Sequence, residues 1–158
     1  MNSDELLVKW SERVRRAQAA HYDSAVRCNR QHFWIGVPVV ILTALIGTSV
    51  FVTLQKEADF YMKLAVGLAS VAAAVLASVQ TFLRFLERAE SHRIAAMRFG
   101  ALRKEIEYIQ AFPPKDSEQI KDVTKSLLER WNNINEESPT ANQKFYERHY
   151  KERKASVK

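Results

Sequence analysis

The sequence predicts an all-α membrane protein, a two-span transmembrane helical hairpin joined to a cytoplasmic helical bundle. Two long uncharged segments, at residues 33–54 and 64–83, are the first observation behind this fold class. As a helix the first segment would be roughly 33 Å long at 1.5 Å per residue, enough to cross a hydrocarbon core of about 30 Å. Soluble core helices normally show a charged face, which both segments lack. The second observation is the 3-4 spacing of apolar residues outside these segments, which is typical of packed helices.

The chain of 158 residues is long enough for one domain, and six segments are predicted along it. In order they are an N-terminal cytoplasmic helix at 1–32, transmembrane helix 1 at 33–54, a short external hairpin at 55–63, transmembrane helix 2 at 64–85, a cytoplasmic helical hairpin at 86–137 and a basic C-terminal tail helix at 138–158.

The N-terminal segment has one packing seam, marked at 3-4 spacing by Leu7, Trp10 and Val14 and continuing to Cys28. We expect this helix to run up to or into the first span. Pro38 lies in the first turns of that span, where a missing N–H is least costly. Because a charged segment precedes the span, we expect a retained transmembrane helix rather than a cleaved secretory signal.

The second span has no stop signal at its end, since residues 83–88 contain neither Gly nor Pro. The helical pattern continues to Ile109, and Pro113-Pro114 ends it. Span and extension are therefore predicted to form one unbroken rod of about 45 residues, roughly 70 Å long. Asp116 or Ser117 then caps a last helix, which is predicted to fold back antiparallel across the Pro-Pro turn.

Positive charge flanks the two spans. Five arginines lie between residues 13 and 32 and six basic residues lie between 84 and 104, whereas the connector at 55–63 has two lysines balanced by two acidic residues. The positive-inside rule predicts that both termini are cytoplasmic. Much of the net charge of +6 is then explained by orientation and by contact with anionic lipid, so we predict no nucleic-acid partner.

Histidine and cysteine residues offer weak candidates for a metal site. His21, Cys28 and His32 share one helix, but no second ligand pair or carboxylate completes a site, and His21 fits the packing seam. His92 is expected at a lipid headgroup or a contact between subunits. No nucleophile–base constellation is apparent, so the sequence predicts no enzyme, no metal and no cofactor.

The second span separates small from large side chains. At about 100° per residue, one arc of roughly 100° holds small and weakly polar residues, and large apolar residues occupy the other side. This candidate pore or packing face consists of Gly67, Ser70, Ala74, Ala77, Ser78 and Thr81. A second ladder with i,i+4 spacing is formed by Ala65, Ala69, Ala73, Ala77 and Thr81. Close helix packing and the lining of an oligomeric pore both explain such a face, and both hold at once if several copies assemble.

Three further features are interpreted more simply. Thr43 and Gly47 form a small-xxx-small pair in the first span. Gln80 lies outside the small arc, about one turn from the cytoplasmic end, and is expected to reach the interface rather than to select ions. Candidate contacts for an anionic ligand or for lipid lie just below the membrane, at Arg27, Arg30, Arg84, Arg88 and Arg93.

The layout and the stretch FLRFLERAESHRIAAMRFGALRKEIEYI at residues 82–109 resemble the SLATT domain family. The resemblance lies in the arginine and glutamate just past the membrane, the His92-Arg93 pair and the run from Leu102 to Ile106. It implies a bacterial inner-membrane effector, found beside nucleotide second-messenger synthases or nucleotide-sensing domains in anti-phage systems. It also implies a pore that disrupts membrane integrity. Since no sensor domain is fused here, we expect the cytoplasmic helices or a partner to read the signal.

Three functions are weighed on this basis. The first is a homo-oligomeric pore-forming effector of the bacterial inner membrane, activated by a cyclic or linear nucleotide second messenger or by a sensor protein. The second is a non-conducting membrane-anchored adaptor that recruits a partner through its cytoplasmic helices. A small transporter is the third, and it is disfavoured because neither span contains an acidic residue for proton coupling.

Overall fold

The computed structural model describes residues 3–55, 59–114, 116–141, 145 and 147, and among these residues it contains four long helices and no strand. The helices are α1 (Ser3–Gln55), α2 (Phe60–Leu83), α3 (Phe85–Ala111) and α4 (Ser117–Glu137). The all-α class predicted from the sequence is confirmed. Most of the predicted tail helix at 138–158 and part of the external hairpin at 55–63 lie outside the described residues.

The described residues fold into two compact units. One consists of the chain up to Arg27 and from Arg88 onward, and is called the helical bundle below. The other, Cys28–Glu87, is called the membrane hairpin. Helix α1 contributes to both, because it runs from Ser3 into the first uncharged segment without interruption, with Pro38 inside it. A single proline removes only one backbone hydrogen bond from so long a helix.

The helical bundle packs the start of α1 against α3 and α4. Its core is continuous across the three helices and contains Leu7, Val14, Ala17, Phe99, Leu102, Ile106 and Leu127. The indole rings of Trp10 and Trp131 meet edge to face, with centroids 5.7 Å apart. Each large apolar side chain buried here stabilises the fold by about 1.5–3 kcal/mol. The apolar residues at 3-4 spacing in the sequence thus form one buried stripe on each helix of the bundle.

Helices α3 and α4 are antiparallel. Arg98 pairs with Glu137 and Glu105 pairs with Arg130, so residues later in α3 meet residues earlier in α4. The turn between them places Asp116 at the N-cap of α4, where its carboxylate accepts a hydrogen bond from the Glu118 N–H at 3.3 Å. Of the two predicted capping residues, Asp116 is therefore the one in use.

The membrane hairpin is packed through small side chains. Ala73 is the one buried residue of α2, with 5 % of its surface exposed, and Ala69 and Ala77 of the same ladder are half-buried. Large residues such as Trp34, Val40 and Leu68 are instead exposed. Small side chains let two helix backbones approach closely in a membrane, while lipid solvates the large ones. Asp59 caps α2 by accepting the Phe60 N–H at 2.8 Å.

The predicted unbroken rod is wrong, because α2 ends at Leu83 and a new helix begins at Phe85. Arg84, between them, has φ 46° and ψ 45°, the left-handed conformation, which no other non-glycine residue shows in the described part of the chain. A left-handed residue takes the chain out of the helical path and so separates the two helices. The sequence around it contains neither Gly nor Pro.

The packed stripes of α2 and α3 are out of phase. On α2 the buried or half-buried residues after the first turn are Val66, Ala69, Ser70, Ala73, Leu76, Ala77, Gln80 and Leu83. On α3 the buried residues are Phe85, Ala89, His92, Ala95, Ala96, Phe99, Leu102 and Ile106. On one straight helix at about 100° per residue, the centres of these two stripes would differ by roughly 100°. A straight helix would therefore present the two stripes on different sides.

Candidate functional site

The small face of α2 is largely uncovered within the single chain. Gly67, Ala74, Ser78 and Thr81 are exposed, whereas Ser70 and Ala77 are half-buried beside the packed alanines. An added Cβ at Gly67 would meet nothing within 4 Å. Four of the six predicted residues are thus exposed, and the other two lie at the edge of the contact within the hairpin. The second alanine ladder, and not this face, contains the most buried residue of α2.

The hydroxyl groups on this face bond to their own helix. Ser70 Oγ donates to the Val66 carbonyl and Ser78 Oγ donates to the Ala74 carbonyl, both at 2.8 Å. Thr81 Oγ1 donates to the Ala77 carbonyl at 3.0 Å. Since each donor is satisfied inside the helix, the face presents small groups and oxygen lone pairs rather than hydroxyl donors. It is chemically suited to close packing against another helix and to weak contact with water or cations.

The first span offers a second small surface of the same kind. Thr43 and Gly47 are both exposed, and an added Cβ at Gly47 would meet nothing within 4 Å. Thr43 Oγ1 donates to the Val39 carbonyl at 2.9 Å. Thr48, one position after Gly47, bonds to the Ala44 carbonyl in the same way. Both spans therefore carry exposed small residues with internally satisfied hydroxyls.

Gln80 faces into the membrane hairpin, which corrects the expectation that it reaches the interface. Its Nε2 lies 3.1 Å from His32 Nδ1 on α1, and the amide sits over Gly36, where an added Cβ would come within 3.2 Å of Nε2. The Gln80 N–H donates and the unprotonated Nδ1 of His32 accepts. A polar bond of this kind between membrane helices fixes their register, and Gly36 provides the space for it.

The five candidate ligand-contact arginines are all exposed. Arg84 forms an ion pair with Glu87 at 3.2 Å, and Arg93 lies 3.9 Å from Glu90. Exposed pairs of this kind contribute little stability, so neither pair is needed to hold the fold together. Their guanidinium groups are therefore suited to anionic headgroups or phosphates.

A buried histidine pair lies in the helical bundle, and no sequence motif points to it directly. The Nδ1 atoms of His21 on α1 and His92 on α3 are 3.1 Å apart, and the His21 ring stacks on Phe99 with centroids 5.4 Å apart. Both histidines are buried, so His92 does not occupy the headgroup or intersubunit position expected for it. The 3-4 spacing of Ala89, His92 and Ala96 in α3 was the available signal, because it places His92 on the buried stripe.

Two neutral rings fit this geometry, with one Nδ1–H donating to the other Nδ1. Burial first, and the neighbouring His92 second, together lower the pKa of His21 to about 4. Burial also lowers the pKa of His92. Both imidazoles are therefore uncharged at neutral pH, and protonation would place a charge inside the bundle core.

The residues considered as metal ligands in the sequence have other neighbours in the structure. Within the residues that the structure describes, no group of three or more His, Cys, Asp or Glu side chains is arranged to hold a metal ion. His32 is bonded to Gln80, His21 is bonded to His92, and Cys28 is a half-buried free thiol. The three residues weighed as a metal site in the sequence are thus not gathered into one.

Comparison with known proteins places this architecture in a family. No curated protein and no solved structure gives a match. Residues 5–155 match the SMODS and SLOG-associating 2TM effector domain family 4, which covers nearly the whole chain and both helices long and apolar enough to cross a membrane. That family is an effector transmembrane domain and not a known catalytic family. The chain is therefore a two-span helical membrane protein that belongs to the SLATT family of effectors linked to SMODS and SLOG conflict systems.

Proposed function

We propose that this protein is a homo-oligomeric, pore-forming effector of the bacterial inner membrane, with both termini in the cytoplasm. The observation that carries the proposal is the exposed part of the small face of α2, at Gly67, Ala74, Ser78 and Thr81. One hairpin of two helices cannot enclose a pore, so conduction requires several copies. Small residues let neighbouring helices approach closely, and the oxygen lone pairs of Ser78 and Thr81 would face a narrow water-filled lumen.

The exposed large residues of α2 support the same arrangement. Leu68, Val71, Val75 and Phe82 are exposed on the side away from the small face. Lipid solvates side chains of this kind without cost, so this side faces the bilayer in an assembly. The helix thus has one side for its own hairpin, one side for lipid and one small side left for copies or for a lumen.

Activation is assigned to the helical bundle and the arginines beside the membrane. A nucleotide second messenger carries phosphate groups, and the exposed arginines at Arg27, Arg88 and Arg93 would attract them. A ligand opens the pore only if it binds the open state better than the closed state. The matched family is described as a 2TM effector domain, which fits a response that consists of a change in membrane permeability.

The test is ion and dye flux through liposomes that contain the purified full chain, with and without candidate nucleotides. We expect flux in at least one condition, and Ala74→Leu and Ser78→Leu should reduce it severalfold by filling the lumen or blocking assembly. Ala72→Leu is the matched control, because Ala72 is exposed on the lipid side of the same helix. Equal flux in all three variants would contradict the choice of lining face.

A non-conducting adaptor is the second candidate. The aromatic rings of Tyr108 and Phe112 are exposed and 5.2 Å apart, beside the Pro113-Pro114 turn of the helical bundle. Exposed aromatic side chains are frequent in protein interfaces. Liposomes that stay sealed under every condition would favour this function over the pore.

A further inference from the structure

Helix α3 carries apolar side chains on two opposite sides. Its inner side contributes Phe99, Leu102 and Ile106 to the core of the helical bundle. Its outer side carries a row of exposed residues at 3-4 spacing, called the outer stripe below, which consists of Ile94, Met97, Ala101, Lys104, Tyr108 and Ala111. The row is about 26 Å long, and at about 100° per residue its centre lies roughly 180° from the centre of the core row.

The outer stripe leaves a large part of its apolar surface uncovered. Met97 is 48 % exposed and Tyr108 is 65 % exposed. The ring of Phe112, which is also exposed, lies 5.2 Å from the ring of Tyr108 and extends the stripe. Helix α4 differs, because Leu128 is its one exposed large apolar residue. A bundle helix in water usually turns a polar side outward, and an exposed apolar row marks an interaction surface.

The charges beside the outer stripe indicate what kind of partner fits it. Arg93 lies 3.9 Å from Glu90, and Arg103 pairs with Glu107 at 3.1 Å, so these neighbouring charges are balanced within the helix. Lys104 is the one charged residue of the stripe, and no ion pair joins it to another described residue. A strongly acidic partner would find little net charge to bind, and the basic C-terminal segment would be repelled by Lys104.

We propose that a second copy of this chain packs its own outer stripe against this one, so that two α3 helices pair between the bundles of neighbouring copies. Each stripe is apolar and nearly neutral, so two of them match in chemistry. Their 3-4 spacing is the one that lets two helices interdigitate, and Ala101 at the centre allows a close approach. The ammonium of Lys104 can extend to water past its apolar stem. This contact rests on the proposed function, because it requires several copies, and it adds an interface outside the small face of α2.

Cysteine cross-linking of the full chain in liposomes tests the contact. With Cys28→Ser as background, single cysteines are placed at Ile94→Cys, Ala101→Cys and Tyr108→Cys and treated with a short, membrane-permeable bifunctional thiol reagent. Packed helices lie about 8–10 Å apart, within reach of such a reagent. Lys125→Cys, at an exposed residue of α4, is the matched control.

We expect Ala101→Cys to give severalfold more cross-linked dimer than Lys125→Cys. Ala101 lies at the centre of the stripe, so it meets its own counterpart whether the two helices run parallel or antiparallel. Cross-links at Ile94→Cys and Tyr108→Cys as well would indicate a parallel pair, and their absence would indicate an antiparallel pair. A yield at Ala101→Cys no higher than that of the control would overturn the proposal.

Charge substitutions provide a second test, with Ala101→Cys as the reporter. Met97→Glu combined with Tyr108→Glu places like charges across the contact in either orientation, and so does Met97→Lys combined with Tyr108→Lys. Each double variant should lower the cross-link yield at least about tenfold. A mixture of the acidic and basic variants should restore it, because opposite charges then meet. Both positions are exposed, so thermal unfolding should change little. Loss without recovery in the mixture would contradict pairing of the stripes.

Ion flux through the same liposomes separates this contact from the pore. If Ala101→Cys cross-links while the liposomes stay sealed under every condition, the pairing of α3 is supported and the pore is not. If the liposomes conduct while Ala101→Cys cross-links no more than Lys125→Cys, the pairing of α3 is wrong and the pore stands.

Discussion

The helical bundle and the membrane hairpin use the same helical spacing with opposite side chains inside. In the bundle, Phe99, Leu102, Ile106 and Leu127 are each at most 1 % exposed. In the hairpin, α2 buries only Ala73, and its large residues point outward. Water drives large apolar side chains into a core, whereas lipid gives them no reason to leave the surface. The 3-4 spacing therefore indicates which side of a helix is packed. Whether large or small side chains are found on that side depends on whether water or lipid surrounds the helix.

Each unit also contains a polar contact between its helices. The bundle buries the histidine pair His21–His92, while the hairpin holds the bond between Gln80 and His32 above Gly36. In the bundle, burial of the large apolar side chains contributes most of the stability of the contact between helices. In the hairpin, few large residues are buried, so a single hydrogen bond and a single glycine account for more of the contact.

The largest expected effect separates the two units directly. Phe99→Ala should lower the free energy of unfolding by about 3–5 kcal/mol, because it leaves a cavity in the bundle core and removes the ring stacked on His21. Phe82→Ala, at a phenylalanine that is mostly exposed, should change it by about 0.5 kcal/mol or less. Thermal unfolding of the purified protein in detergent measures both. Similar losses in the two variants would contradict the contrast between bundle and hairpin.

The next effect is a pH dependence that belongs to the bundle. The pKa of His21 is lowered to about 4 in the folded protein, from about 6.5 in an unfolded chain. Between these values the unfolded state binds more protons, so stability is fully present above about pH 6.5 and falls as the pH is lowered towards 4. The loss should reach up to about 3 kcal/mol. The lowered pKa of His92 acts in the same direction.

Thermal unfolding between pH 8 and pH 4.5 checks this, with His21→Gln as the comparison. Glutamine is uncharged at every pH in this range and can still hydrogen-bond to His92. We expect the variant to lose a large part of the acid sensitivity of the wild type. An unchanged pH profile would place the titrating groups outside the histidine pair.

The smallest expected effect tests the hairpin. Gly36→Ala should be less stable than Gly47→Ala by about 1 kcal/mol, because only the Cβ at residue 36 would press on the Gln80 amide and disturb its bond to His32. Both changes gain the same helix propensity, so their difference isolates the contact. Thermal unfolding in detergent measures it, and equal stabilities would show that the Gln80 side chain gives way freely.

Several features of this fold and site could be predicted from the sequence because they depend on local pattern. Uncharged length gave the two spans, 3-4 spacing gave the core of the bundle, and the acidic residue after the Pro-Pro turn gave the N-cap at Asp116. The separation of small and large residues on α2 was also visible in the sequence. The sequence did not show which of these small residues are covered. Ala73 and Ala77 are covered because of the position of α1 in the hairpin.

Two residues show why the remainder required three dimensions. His92 and His21 are 71 positions apart, and nothing in the sequence near either one indicates that their Nδ1 atoms meet. Arg84 sits among residues that include neither Gly nor Pro, so no residue type near it marks the break.

The sequence by itself determined the fold class, the two spans and the small face, because hydrophobic length and helical period act over a few turns of chain. The tertiary structure alone decided the break at Arg84, the histidine pair and the hydrogen bond between Gln80 and His32 beside Gly36. The histidine pair and the Gln80–His32 bond depend on where one helix lies against another. That arrangement is set by the sum of many contacts, and it can override the preference of any single residue.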